Sequence, residues 1–463
     1  MRTSWTAMAA ALALGLGLGA CDDGGGAADD PAVTRIPARP AQRSGDAAAG
    51  WDFLRYGDYV GSGVPYEIFA AFFASSPPPN RLDREGDGAT VPYSFNVFET
   101  PTGVKVAGGV NCFGCHASRL DGAFVVGLGN AFSDFTAAEL TDQAPLVQGV
   151  VEGRYGEGSP EAEAYAVFAR GALAAEARSL LPFRGVNPAF MFEESVAAHR
   201  TADLGWSEEP VFAIDAGPIG SDVPAWWLLK KKNALYYNGM GRGDFARLIE
   251  QISVVATYGS AQTEAFDAHF GDVLAFIMAI EPPAYPEPVD SALAARGEGV
   301  FEGSCSACHG TYGEGGEYPN LLVGVERVGT DAAYADRMLA TGLIGWYAAS
   351  WYAEGTEVAP ARAYVAPPLD GVWATAPYLH NGSVPTLAAL LDSSRRPTYW
   401  RRDFGDTTYD HAAVGWPYTV ESGPVDVSTY DTTRLGYGNG GHTFGDALSA
   451  DDRRALLEYL KTL

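Results

Sequence analysis

Two copies of one five-residue pattern constrain this chain more than any other feature: Cys112-Phe113-Gly114-Cys115-His116 and Cys305-Ser306-Ala307-Cys308-His309. Two thiols three positions apart on one helical turn can form thioethers to both vinyl groups of a haem, and the adjoining His then lies under the iron as a ligand. A redox dithiol has no need of that His, and a zinc site draws four ligands from more distant parts of a fold. The chain has 5 Cys and the two patterns use all but one of them, so no disulfide is expected. Two covalently bound haem c groups follow as the expectation, attached at Cys112, Cys115, Cys305 and Cys308, with His116 and His309 as iron ligands.

The fifth cysteine closes an N-terminal segment. After Arg2, the run from Ala7 to Ala20 is apolar and free of charge, too short for a lasting transmembrane helix but suited to a signal peptide. It ends in Leu18-Gly19-Ala20-Cys21, which resembles a bacterial lipobox, so residues 1–20 are expected to be a lipoprotein signal peptide and Cys21 the lipidated residue. The alternative is an ordinary signal peptide that leaves Cys21 as a stray thiol. Either way the body is expected to be exported, and the lipid would fix it to the inner or outer membrane on the periplasmic side. Residues 21–50, rich in Gly, Ala, Asp, Pro and Arg without hydrophobic periodicity, read as a flexible linker.

Charge excludes one class of partner and suggests another. With 57 Asp plus Glu against 31 Lys plus Arg, the formal net charge is −26. A field of that sign repels phosphate backbones, so nucleic acid is not an expected partner. It steers a basic protein instead, and a small basic cytochrome is the expected redox partner. The 10 Trp, 23 Tyr and 22 Phe supply ample apolar material for a packed core.

Organisation follows from the wide spacing of the motifs and from one linker. Pro282-Pro283-Ala284-Tyr285-Pro286-Glu287-Pro288 breaks any helix and reads as a connector, giving an N-terminal haem domain over 51–281 and a C-terminal cytochrome c domain over 289–463. Apolar spacing predicts a helix over Ala265 to Ile280 and another over Ser291 to Phe301 leading into the second motif. Ser449-Ala450-Asp451-Asp452 predicts the start of a terminal amphipathic helix. Strand signals are few and short. The expected class is mainly α: two cytochrome c-like haem domains with long Gly- and Pro-rich loops.

The second axial ligands separate an electron relay from a reactive site, because iron held by two strong ligands does little besides pass electrons. His199, His269, His380, His411 and His442 remain after the two motifs. No His lies between His116 and His199, and Met191 is the only Met there. The first haem is therefore the better candidate for an open position, with His199 folding back as the alternative.

Ala376-Pro377-Tyr378-Leu379-His380-Asn381-Gly382-Ser383-Val384-Pro385-Thr386-Leu387 and Gly441-His442-Thr443-Phe444-Gly445, with two c-type haem motifs, resemble the bacterial di-haem cytochrome c peroxidase and MauG superfamily. Trp226-Trp227-Leu228-Leu229-Lys230-Lys231-Lys232 with Gly241-Arg242-Gly243-Asp244, and Tyr459-Leu460-Lys461, resemble most closely its rubber oxygenase branch, the RoxA-like proteins. The likeness runs from about Trp51 onward and is weakest around Gly153 to Pro210.

The resemblance implies several roles. His442 stands where the peroxidases place a Met and MauG a Tyr, which implies that it ligates the second haem together with His309. His380 then supports the haem pocket and is the alternative ligand. Trp226 or Trp227 would lie between the haems, as the superfamily's inter-haem Trp does, or simply fill the core. The superfamily often binds calcium, and Asp83, Gly86 and Asp87 are the candidate loop, with a plain surface turn as the alternative. The stretch Gly127 to Phe135 lacks the departing His of the peroxidases; Phe132 or Phe135 would make the distal pocket apolar, and Phe132 and Trp227 are the candidate catalytic residues. Three functions fit: a peroxidase or MauG-like oxidase, a dioxygenase cleaving an apolar alkene, and an electron carrier.

Overall fold

A computed structural model describes residues 30, 32–73, 82–214 and 217–463. The predicted signal peptide, Cys21 and the start of the predicted linker lie outside the described residues. Among the described residues no helix is long and apolar enough to cross a membrane.

Helices carry the architecture, and the strands are two to five residues long in five small sheets among the described residues. The first motif is a single helical turn, Cys112–His116, wedged between two hairpins. On one side Phe95–Glu99 pairs antiparallel with Lys105–Gly109; on the other Ala117–Leu120 pairs with Ala123–Val126. Asp121 and Gly122 turn the second hairpin, both at positive φ, the conformation that a two-residue Asp-Gly connection adopts readily. Asn111 caps the motif, its side chain accepting from the Phe113 amide, and Phe113 is fully buried in a core with Leu54, Tyr59, Val106 and Phe270.

That core is closed by the helices Ala47–Tyr56 and Ser260–Ala279. They approach so closely at Gly50 that a Cβ there would stand 2.0 Å from the Asp272 carbonyl oxygen. The second helix is the one predicted over 265–280, begun a turn earlier. Around the second motif, Ser291–Ser304 runs into the turn Ser306–His309 and is crossed by the terminal helix Ala450–Leu460. Gly297 makes that crossing possible: a Cβ would meet the Ala455 carbonyl oxygen at 2.0 Å. Asp290 and Ser449 cap the two helices with their side chains.

Two sequence expectations are corrected. The first concerns residues 32–50, expected as the end of a flexible linker. Val33–Arg35 is the edge strand of a sheet with Leu321–Gly324 and Ala363–Val365, and Ile36 is buried. Arg39 donates to the carbonyls of Leu229, Lys230 and Lys232 at 2.8–3.0 Å, and Arg43 pairs with Asp244 and Asp267. Composition missed this strap because its attachments are single residues reaching into distant segments, with no period to detect.

The second correction concerns the separateness of the two halves. Residues 280–290 hold no helix or strand, as the prolines require, but the cores cross that point. Tyr347 and Tyr352 pack into the core of the first half, and Gly241–Gly243 pairs with Thr356–Val358. Phe190 and Met191 share a cluster with Tyr334 and Met338; Leu181 and Phe183 share one with Trp400 and Tyr430. A proline-rich break ends a helix without determining whether the flanking segments pack together.

The strap makes a measurable contribution. Arg39→Ala removes three charged hydrogen bonds and the contact of its guanidinium with the Phe245 ring, and should cost about 2 kcal/mol in denaturant unfolding. A linker that merely lay along the surface would show no loss.

Candidate haem sites

In the first motif, Cys112 and Cys115 lie on one turn and are not joined in a disulfide. Burial pushes the Cys112 thiol up to about 12 and raises Cys115, whose sulfur accepts from Asn187 Nδ2 at 3.2 Å. Redox dithiols work through a lowered pKa, so the raised values argue against that role. The carbonyls of Gly114, Cys115 and His116 are held by Asn130 Nδ2, the Asn130 amide and the Gly127 amide at 2.8–2.9 Å. Those bonds fix the helix against the segment that follows it.

The His116 ring stacks on Trp226 at 4.9 Å. Burial lowers its pKa to about 4, so it is a neutral imidazole at physiological pH, the form that ligates a metal. Its Nδ1 is buried and makes no hydrogen bond; the nearby Pro224 carbonyl opposes the lowering only weakly.

The second motif has a complete set of supports. His309 Nδ1 lies 2.8 Å from the Pro367 carbonyl, which can only accept, so Nδ1 carries the proton and Nε2 keeps its lone pair. Tyr312 donates to the His309 carbonyl and receives the Leu369 amide, locking the ring to the same loop. Across from it stands His442, with ring centres 6.1 Å apart. Two imidazoles bound to one ion at about 2.0 Å have ring centres about 6 Å apart, so the spacing fits a single iron between them.

His442 is set in place by its backbone. Its φ is +44°, its amide donates to the Val328 carbonyl at 2.6 Å, and Gly441 presses against Gly329. Arg396 gathers the carbonyls of Ala389, Leu390, Asn439, Gly441 and His442, tying the loop to the body. Burial, then His309 and Arg396, bring the His442 pKa to about 4. Its Nδ1 is buried without a partner.

Trp226 and Trp227 open a short 3-10 helix, Trp226–Lys231, that touches the first motif and the Asp370 loop that follows Pro367. Trp226 lies on His116, and its amide bonds to Gly127, which also bonds to His116. Trp227, almost fully buried, donates from Nε1 to the Asp370 carbonyl at 2.8 Å, three residues beyond Pro367. Lys231 pairs with the Asp370 carboxylate at 2.7 Å.

The other histidines are accounted for. His199 stacks on Trp206 and its Nδ1 lies 3.0 Å from the Ser207 carbonyl. His269 stacks on Phe53, and His411 pairs with Asp121 at 2.7 Å. His380 is buried among Tyr237, Tyr334 and Tyr364, stacked on the last at 4.1 Å, and is held neutral by burial with a pKa near 3. Met191 is fully buried in an apolar cluster.

Phe132 meets Trp416, Phe404 and the Arg402 guanidinium, and Phe135 packs against the Leu181 cluster. At the candidate calcium loop, Asp87 pairs with Lys105. No group of three or more His, Cys, Asp or Glu among the described residues is arranged to hold a metal ion.

Sequence reasoning missed two acids. Glu193 lies within electrostatic reach of Cys115 and receives the Tyr236 hydroxyl at 3.3 Å; burial pushes it up to about 7. Asp222 receives the Tyr237 hydroxyl at 3.0 Å and is pushed by burial up to about 8. The signal for Glu193 was present: Glu193 and Glu194 sit in a nine-residue helix, Ala189–Ala197, that is otherwise almost wholly apolar. Adjacent acids on such a helix must find internal partners, and Glu194 finds Arg337 and Thr341.

Residues 294–381, which contain the second motif, match the cytochrome c family. This match supports covalent haem binding and electron transfer by that part of the chain. Residues 363–401 match the RoxA-like, cytochrome c-like family, which relates the chain to RoxA-like c-type cytochromes and to oxidoreductases. Two relatives from Sinorhizobium fredii (strain NBRC 101917 / NGR234) are uncharacterized proteins. To y4iJ the chain is 32% identical over 40% of its own length and 41% of that protein's. To y4iM it is 29% identical over 52% of its own length and 64% of that protein's, so it spans less than two thirds of either.

Glu193 gives a pH test. Its folded-state pKa lies above the usual 4.5, so its contribution to stability is complete below about pH 4.5 and is lost as the pH rises through about 7. Glu193→Gln is neutral throughout and should gain thermal stability relative to the parent between about pH 5 and pH 8. Parallel profiles would mean that Glu193 is already ionised in the fold.

Proposed function

We propose that the protein is an exported oxidoreductase with two haem c groups. The haem at Cys112, Cys115 and His116 reacts with peroxide or dioxygen; the haem at Cys305, Cys308 and His309, with His442 as second ligand, relays electrons. The observation that carries this reading is the different company of the two motif imidazoles. His309 faces His442 at 6.1 Å, whereas the ring partner of His116 is Trp226 and the nearest downstream imidazole, His199, is held by Trp206 and Ser207.

Haem supplies iron that changes oxidation state and, at an open position, binds a small oxygen ligand. The chain supplies the rest. Glu193, raised by burial to about 7, exchanges a proton near neutral pH within electrostatic reach of Cys115, and Tyr236 donates to its carboxyl. Asp222 and Tyr237 form a second such pair. A positioned carboxyl of shifted pKa is what cleavage of an O–O bond needs for its proton, so these acids favour peroxide over an apolar oxygenase substrate. Trp226, on the His116 ring, and Trp227, bonded to the Asp370 carbonyl, are adjacent in one short helix between the His116 turn and the loop that holds His309.

The N-terminal sequence supports attachment to the membrane through a lipid on Cys21. The net charge of −26 supports a small basic cytochrome as electron donor, with an association rate that falls as salt rises.

Spin resonance of the oxidised protein should show one high-spin and one low-spin haem, and His442→Ala should convert the low-spin signal to high-spin. Two low-spin signals, with no carbon monoxide binding after reduction, would leave an electron carrier. Peroxide-dependent oxidation of a reduced cytochrome should fall about 100-fold in Glu193→Gln. Oxygen uptake with polyisoprene and no peroxidase activity would favour the oxygenase instead.

A further inference from the structure

Arg402 is 5% exposed and has no carboxylate partner among the described residues. One end of its guanidinium donates to the Ala131 carbonyl; the other, Nη1, is buried without a hydrogen bond. Its faces are covered by Phe132, Phe404 and Trp416, each ring centre 4.3–4.6 Å from the guanidinium carbon. A small cavity adjoins it, lined also by Arg184, Gly185, Trp400, Ser428 and Tyr430. Arg184 lies on the Phe404 ring at 4.7 Å and adds a second positive charge, which pairs on its outer side with Asp134 at 3.0 Å.

The charge count leaves one cation over. Asp134 balances Arg184, and among the described residues no carboxylate pairs with Arg402, although the chain as a whole carries a net charge of −26. A buried guanidinium is costly unless it is paired, and aromatic faces return only part of that cost. We propose that Arg402 and Arg184 hold one small monovalent anion in this cavity, such as chloride or the carboxylate of formate.

The site is wired to the first haem motif. Arg402 bonds Ala131, and the neighbouring Asn130 bonds the Gly114 and Cys115 carbonyls. The same negative charge has a second source, a propionate of the haem at that motif; this alternative rests on the reading of the motif as a haem site.

The holoprotein is titrated with sodium chloride and sodium formate against sodium sulfate at matched ionic strength, following thermal unfolding. A dissolved anion predicts a saturable rise of roughly 2 °C or more with chloride or formate alone, lost in Arg402→Gln and weakened in Arg184→Gln. The second variant keeps the test readable if the first does not fold. A propionate predicts no anion dependence but a lower midpoint potential for one haem in Arg402→Gln, with the other unchanged. No anion dependence together with unchanged potentials in both variants overturns the proposal, and the aromatic cage alone would then balance Arg402. The unfolding arm does not depend on the first motif carrying haem, so its outcome is separable from that reading.

Discussion

Much of the architecture depends on one hydrogen bond, from Trp227 Nε1 to the Asp370 carbonyl. It fastens the short helix Trp226–Lys231 to the loop that carries Pro367, and Pro367 fixes the tautomer of His309. One residue earlier, Trp226 lies against His116. Adjacent side chains on one turn thus set the two motif histidines relative to each other, and the Lys231–Asp370 ion pair and the Arg39 hydrogen bonds brace that turn. A short helix with poor hydrogen-bond geometry would not hold such a junction unaided. The strap from the N-terminus and the ion pair with Asp370 supply what the helix lacks.

The cysteine motifs were legible because their pattern is local: each forms a single helical turn with its own residues. The capped helices around the second motif were legible for the same reason, since Asp290 and Ser449 signal their own starts. His442 is a different case. Nothing local marks it; resemblance pointed to it, and only the folded chain shows Val328, Gly329 and Arg396 holding it opposite His309. Glu193 was half legible, as an acid on an apolar helix, but its nearness to Cys115 depends on packing across the fold. The strap was illegible, because Arg39 and Arg43 look in sequence like the charges of any solvated linker. The packing between the two halves was illegible for a related reason: a proline-rich break reports backbone geometry at one point, whereas Tyr347, Tyr352 and the strand Thr356–Val358 cross back by long-range packing.

The charge balance looks different from inside. The chain is strongly acidic overall, yet several of its arginines are internal fasteners. Arg200 is fully buried and donates to the carbonyls of Leu204, Val255 and Thr257; Arg396 collects five carbonyls; Arg337 meets Glu194 in the core. The planar five-donor guanidinium suits this work in a chain whose long loops leave carbonyls that no regular helix or sheet satisfies. Withdrawing these cations from the surface also leaves its negative field less opposed.

The strap also bears on where the molecule can stand. If Cys21 carries a lipid, only eleven residues separate it from Val33, which is already paired within a sheet. Fully extended, such a segment reaches about 40 Å. The body would then work on a short leash, with the sheet edge of Val33–Arg35 kept toward the bilayer and the opposite side left to meet soluble partners.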